Sequence, residues 1–188
     1  MRIGLTGRIC SGKTTVASIF SELGANVIDS DSVLKEILQD KTVQREVETM
    51  IGTRIFDKAN WRELLADKLF SDSDLREKYC SLLYPLTFSK MKALEKEDSI
   101  NVWEVPLLFE AGWHPYMDLI ILTIAPSCIR LKRAIMRGMG EDDFNRRDAL
   151  FLPDQEKMEK SFVIENTNGI EELRRQVLSL WNSINRKE

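Results

Sequence analysis

At 188 residues, with 43% hydrophobic and 30% charged side chains, the chain can bury one sizeable core and has the composition of a soluble globular protein. A formal net charge of −3 speaks against a general nucleic-acid binder, which needs clustered Lys and Arg for its phosphate contacts. Cys10, Cys80 and Cys128 are scattered and lack C-x-x-C spacing, so they read as reduced thiols, not as a disulfide frame or a zinc site.

The first element expected is a buried strand over 3–6 (IGLT), running into a loop and then a helix over about 12–23 that stops at Gly24. With so direct a start no signal peptide is expected. A second apolar run covers 25–30 (ANVIDS). Residues 32–98 hold no strand pattern but three helical ones, at about 32–50, 60–71 and 73–97, the last interrupted at Tyr84-Pro85. One crossover does not need that much chain, so 32–98 reads as a helical subdomain inserted into a core. Further strands are expected at 101–106 (NVWEVP), 119–125 (LIILTIA) and 161–166 (SFVIEN), with a helix at 127–138 between the last two. A charged stretch follows that helix, and a final helix over 169–185 carries Ile170, Leu173, Val177, Leu180 and Ile184 as a core-facing stripe.

These five short runs are apolar at consecutive positions, as in strands covered on both faces of a parallel sheet. The fold class is therefore α/β with right-handed crossovers. The longest apolar run, 119–126, is too short to span a bilayer, and a cytoplasmic protein with no membrane partner is expected.

The first loop carries the pattern G-x-x-x-x-G-K-[ST] through Gly7, Gly12, Lys13 and Thr14, between a strand and a helix. In that setting backbone N–H groups converge on phosphates at the helix N-terminus. The ATP-binding candidates are thus Gly7, Arg8, Ile9, Cys10, Ser11, Gly12, Lys13, Thr14 and Thr15. Lys13 would place a cation on the β- and γ-phosphates, and the Thr14 hydroxyl would ligate Mg2+. Arg8 is either a solvent-facing loop residue or a second cation near the phosphates. Cys10 is either a small tolerated side chain or a thiol made acidic by the helix N-terminus.

Asp29 and Asp31 close the second strand, and i, i+2 carboxylates of an extended chain point the same way. Phosphoryl transfer to a hydroxyl needs a proton acceptor, for which Asp31 is the candidate, with Asp29 supporting metal-bound water or the acceptor. The competing role for either is to cap the next helix. After the third strand, Leu107, Leu108 and Phe109 would form an apolar wall for an acceptor, with Glu110 bonding a polar atom of it; without that context such residues belong to a core. Arg130, Arg133, Arg137, Arg146 and Arg147 form the one local cationic concentration, suited to neutralising a transferring phosphoryl group. The lone His114 has no partner for a triad or metal cluster.

GLTGRICSGKTTVASIFSELGANVIDSDSV, at 4–33, resembles the N-terminal signature of dephospho-coenzyme A kinases. VWEVPLLFEAGW at 102–113 is similar to that family's Asp-Val-Pro-Leu-Leu-Phe-Glu motif, with Glu104 in the Asp position; the likeness resumes at IRLKRAIMRGM and FVIENTNGIEELRRQV. The resemblance implies a three-layer P-loop kinase fold with a five-stranded parallel sheet over 1–188, a helical acceptor subdomain at 32–98 and a lid at 138–158. It also implies ATP- and Mg2+-dependent phosphorylation of the ribose 3′-hydroxyl of dephospho-coenzyme A, the last step of coenzyme A synthesis. Asp31 would be the base, Arg137 a catalytic lid arginine and Arg147 an ATP-binding one. Tyr84 stands where the family has an acceptor-side His. Other departures are Arg8 and Cys10 in place of loop glycines, Phe88 in place of an Arg and Phe151 in place of a Gln. A monomer or a small homo-oligomer is expected. Another nucleoside or nucleotide kinase of the P-loop group, or a catalytically idle ATP-binding homologue, are the alternatives.

Overall fold

Residues 1–185 are described by a computed structural model. The chain divides into two compact units, one of Met1–Asp29 together with the chain from Glu95 onward, the other of Ser30–Leu94.

The first unit is built on a five-stranded, all-parallel sheet: β1 (Arg2–Thr6), β2 (Asn26–Asp29), β3 (Asn101–Glu104), β4 (Leu119–Ile124) and β5 (Phe162–Glu165), in the order β2-β3-β1-β4-β5. The runs with consecutive apolar residues supply these strands, as expected for a parallel sheet flanked by helices. Helix α1 (Lys13–Glu22) follows β1, α6 (Ser127–Met136) follows β4, and α9 (Ile170–Asn185) follows β5. Ile3 and Leu5 of β1 pack with Val16, Phe20, Ile121, Ile164 and Val177 into one core, and Phe20 meets Trp181 edge to face. Full burial of such side chains contributes roughly 1.5–3 kcal/mol each. Gly24 ends α1 with a φ of 100°, a left-handed conformation that glycine adopts without strain.

Between α6 and β5 lie α7 (Glu141–Asp148) and α8 (Asp154–Met158). The expected helix at 127–138 ends at Met136, because Gly138 takes a φ of 81°. Arg2 ties the strand ends together at the other edge of the sheet, pairing with Glu95 and lying over the Trp103 ring at 4.8 Å.

The second unit is helical: α2 (Ser30–Ile37), α3 (Lys41–Ile51), α4 (Trp61–Ser71) and α5 (Ser73–Ala93). The single pattern expected at 32–50 is two helices, because Asp40 starts a new one: its carboxylate accepts from the Thr42 N–H at 2.7 Å. Asp72 caps α5 in the same manner, at 2.9 Å from Leu75 N. Pro85 sits inside α5 and does not end it. Val33, Ile37, Val47, Ile51, Leu65, Leu83 and Met91 are buried. Among the described residues no helix is long and apolar enough to cross a membrane.

Candidate active site

The loop between β1 and α1 follows a path that only its own residues allow. A Cβ on Gly7 would lie 2.3 Å from the Thr123 carbonyl oxygen, and one on Gly12 would lie 2.0 Å from Asn166 Nδ2. Cys10, with a φ of 58°, is in the left-handed region, which explains why glycine suits that position. Its thiol is buried, 3.9 Å from an Arg137 guanidinium nitrogen.

Lys13 is buried at the start of α1, and its ammonium donates to the Gly7 carbonyl at 2.8 Å and the Arg8 carbonyl at 3.3 Å. The Thr14 hydroxyl donates to Glu104 Oε1 at 2.7 Å. Glu104 is itself buried, the last residue of β3, and stands opposite Leu5 of β1 and Asp29 of β2 in the sheet register. Two carboxylates and a hydroxyl-bearing helix start therefore share the carboxyl edge of the sheet, where open α/β sheets bind ligands.

The loop is held from outside by groups distant in sequence. Asn166, just past β5, donates from Nδ2 to the Ser11 carbonyl at 2.8 Å. Arg133 of α6 donates to the carbonyls of Cys10 and Ser11, both at 3.3 Å, and to the Asn166 carbonyl at 2.9 Å. Arg130, 4% exposed, donates to Ile9 O and Ala125 O and forks onto both oxygens of Asp148. Arg8 reaches the same carboxylate at 2.9 Å and the Asp148 carbonyl at 2.8 Å. Burial pushes the Asp154 carboxyl above its ordinary range, while Arg8, Lys157 and Arg130 pull it back.

The arginines seen together in the sequence thus separate. Arg130 and Arg133 hold loop carbonyls; Arg137 and Arg147 are exposed, Arg147 paired with Asp143 at 3.0 Å. Ile9 and Thr15 are half-buried, Ser11 is buried and Thr14 is exposed. Leu108 has no exposed surface and lies where a Cβ on Gly4 would touch it, and Leu107 is half-buried. Phe109 stacks on His114 with ring centroids 4.8 Å apart. Glu110 accepts from the fully buried Lys157 ammonium and from the Leu152 N–H, both at 2.7 Å.

In the helical unit, Asp31 is exposed in the first turn of α2, and Tyr84 is half-buried in α5 beside Pro85. Sequence reasoning did not find Asn166, Asp148 or Lys157. For Asn166 the signal present is an amide at the end of a strand; for Asp148 and Lys157 nothing local marks them among many surface charges.

The sequence profile of a family described as dephospho-CoA kinase matches residues 1–172. The dephospho-CoA kinase of Aquifex aeolicus is 35% identical over 192 residues, covering 98% of each chain. A solved Thermus thermophilus structure superposes with a TM-score of 0.83 at 27% identity, over 97% of both chains. The Campylobacter jejuni dephospho-CoA kinase structure, at 23% identity and a TM-score of 0.70, shares the fold over 99% of this chain and 98% of its own. With the loop, the carboxyl-edge acids and these likenesses in agreement, the chain belongs to the dephospho-CoA kinase family.

Proposed function

We propose that the protein transfers the γ-phosphoryl group of ATP to the ribose 3′-hydroxyl of dephospho-coenzyme A, releasing ADP and coenzyme A. The observation that carries this reading is the phosphate loop itself. Lys13 is already gathered onto the loop, and Thr14 faces a carboxylate at the sheet's carboxyl edge, in a chain 35% identical to a dephospho-CoA kinase.

The loop N–H groups and Lys13 bind the β- and γ-phosphates, and Lys13 stabilises charge on the leaving β-phosphate. Asp31 accepts the proton of the acceptor hydroxyl as its oxygen bonds to phosphorus and the bond to ADP breaks. Arg137 and Arg147 supply positive charge toward the transferring group from the 138–158 side, which acts as a lid; Arg147 must then exchange Asp143 for phosphate. Residues 32–98, with Tyr84, provide the acceptor side, and Leu107, Phe109 and Glu110 support it.

Magnesium fits the donor set. Thr14 and Glu104 offer hard oxygens, Asp29 stands beside them in register, and among the described residues no three His, Cys, Asp or Glu side chains cluster. A cation held by one or two side chains plus phosphates and waters is what such a set accommodates. Thr14 would be its ligand, with Glu104 and Asp29 orienting its waters. When bound it neutralises phosphate charge. A monomer working in the cytoplasm completes the proposal.

The test is a coupled ADP-release assay with and without Mg2+, offering dephospho-coenzyme A, nucleosides and nucleoside monophosphates in turn. Turnover confined to dephospho-coenzyme A is expected. Turnover on a nucleoside instead would move the protein to another kinase activity, and ATP binding with no turnover on any acceptor would make it an idle homologue.

A further inference from the structure

Sequence alone leaves Arg8 as either a solvent-facing residue or a second cation for the phosphates. In the structure its side chain is half-buried and turned onto α7. Its Nε donates to Asp148 Oδ1 at 2.9 Å and its Nη2 to the Asp148 main-chain carbonyl at 2.8 Å. One guanidinium therefore grips both the side chain and the backbone of the last residue of α7. A carbonyl in a helix's last turn lacks an intrahelical donor, and the negative end of the helix favours a cation there. Arg8 thus caps α7 from the phosphate loop. Its own backbone is fixed, since the Arg8 carbonyl accepts from the Ser11 N–H at 3.1 Å and from the Lys13 ammonium.

The same loop supplies an apolar contact. Ile9 and Cys10 form one small cluster with Leu131 and Ala134 of α6, with Met139, and with Phe144, the buried residue of α7. The Arg130 guanidinium lies over the Phe144 ring at 5.5 Å and links Asp148 to the Ile9 carbonyl. The two loop positions that depart from glycine, Arg8 and Cys10, both belong to this seat for α7. Arg147 directly precedes Asp148; it is exposed and paired with Asp143.

We infer that Arg8 is a positioning residue for phosphoryl transfer: it holds the C-terminal end of α7 on the phosphate loop and so sets where Arg147 stands when nucleotide is bound. The inference rests on the proposed activity and on the charge that Arg147 supplies to it. Without the Arg8 grip, Asp148 keeps Arg130 as a partner, but the carbonyl at the end of α7 loses its donor and the last turn frays. A misplacement of about 1 Å in a group that acts on the transferring phosphoryl is enough to lower the rate markedly. The planar fork of an arginine, with donors fixed relative to one another, suits a two-point grip of this kind.

The experiment measures turnover with dephospho-coenzyme A for wild type, Arg8→Met, Arg147→Ala and the double variant. Methionine keeps an unbranched stem and removes both donors. Arg8→Met is expected to lower kcat about tenfold and to leave the KM for ATP unchanged. In the Arg147→Ala background it should add less than about twofold, because nothing is left for it to position. A rise in the KM for ATP would make Arg8 a phosphate ligand and overturn the inference. Losses that multiply in the double variant would also overturn it, as would unchanged kinetics in Arg8→Met. If the wild type released no ADP with dephospho-coenzyme A, the proposed activity would fall by itself. Hydrogen exchange of the nucleotide-free protein would still read the docking: Arg8→Met should speed exchange at residues 144–149 about fivefold more than at the amides of α9. An equal change in both helices overturns the inference, as does no change in either.

Discussion

Arg8 of the phosphate loop and Asp148 at the end of α7 form an ion pair of 2.9 Å across 140 residues of sequence, and Arg130 shares the same carboxylate. Two guanidiniums around one carboxylate make Asp148 the more important partner. Its removal leaves Arg130, whose side chain is only 5% exposed, as an uncompensated charge. Asp148→Ala is therefore expected to cost about 3 kcal/mol. Arg8→Gly leaves the Arg130 pair intact and should cost about 1 kcal/mol or less. Urea unfolding of the two variants separates them; equal losses would mean that Arg8, not Arg130, carries the pair.

Glu104 accepts from the Thr14 hydroxyl at 2.7 Å, and a glutamine there would keep an accepting oxygen while losing the negative charge. With Glu104→Gln, nucleotide affinity measured calorimetrically in Mg2+ should fall about tenfold to a hundredfold, in line with outer-shell changes at metal sites. In EDTA it should hardly change. An equal loss in both conditions would assign Glu104 to loop folding alone.

Asp31 is exposed, so its replacement disturbs little packing. Asp31→Asn is expected to lower kcat by about 10²- to 10⁴-fold while leaving ATP binding as it is. Its effect on stability should stay within about 1 kcal/mol, the scale of a lost charge in a helix's first turn. A variant with normal turnover and a lower melting temperature would make Asp31 a helix-stabilising residue only.

Cys10 occupies a left-handed position, where a side chain costs roughly 1–2 kcal/mol relative to glycine. Cys10→Gly relieves that strain but loses a buried side chain and adds chain freedom. The three terms offset, and we expect full activity with stability changed by about 1 kcal/mol at most. Cys10→Val, β-branched at the same φ, should lose both stability and nucleotide binding. Equal behaviour of the two variants would show that the loop can relax around the position.

Asp154 gives a pH signature. Burial is the largest influence on its carboxyl and raises its pKa in the folded protein above the ordinary 3.8. The native state therefore binds the proton more tightly than the unfolded chain does. The resulting stability is fully present below the unfolded value and is lost as pH rises through the folded one. Asp154→Asn should flatten the stability profile across that acidic window; a profile that superposes on the wild type would mean that Arg8, Arg130 and Lys157 cancel the burial.

Much of this was legible in the residues alone. Runs such as LIILTI show burial on both faces by being apolar at consecutive positions, so the strands emerge without a structure. Gly7, Gly12, Lys13 and Thr14 announce the loop because its chemistry is local. The break between α2 and α3 was missed because one Asp, capping through a single N–H, interrupts an otherwise continuous helical pattern. Arg130 and Arg137 look alike in sequence, yet the first is buried on Asp148 and the second exposed, and only chain packing decides which. Asn166 and Asp148 act on a loop more than a hundred residues away, a relationship that no local period encodes.

Asn166 and Arg133 bind the Ser11 carbonyl from outside the loop, and Gly12 has no space to move toward Asn166. For the incoming nucleotide this is preorganisation: the backbone entropy of the loop is lost when the chain folds, not when ATP arrives. What remains to rearrange is a pair of side chains, Lys13 leaving two carbonyls and Thr14 leaving Glu104. Side-chain exchanges of that kind are far faster than loop ordering. The loop should accordingly add no slow phase of its own to nucleotide association, so that any slow step belongs to residues 138–158 and disappears when Arg147 is replaced.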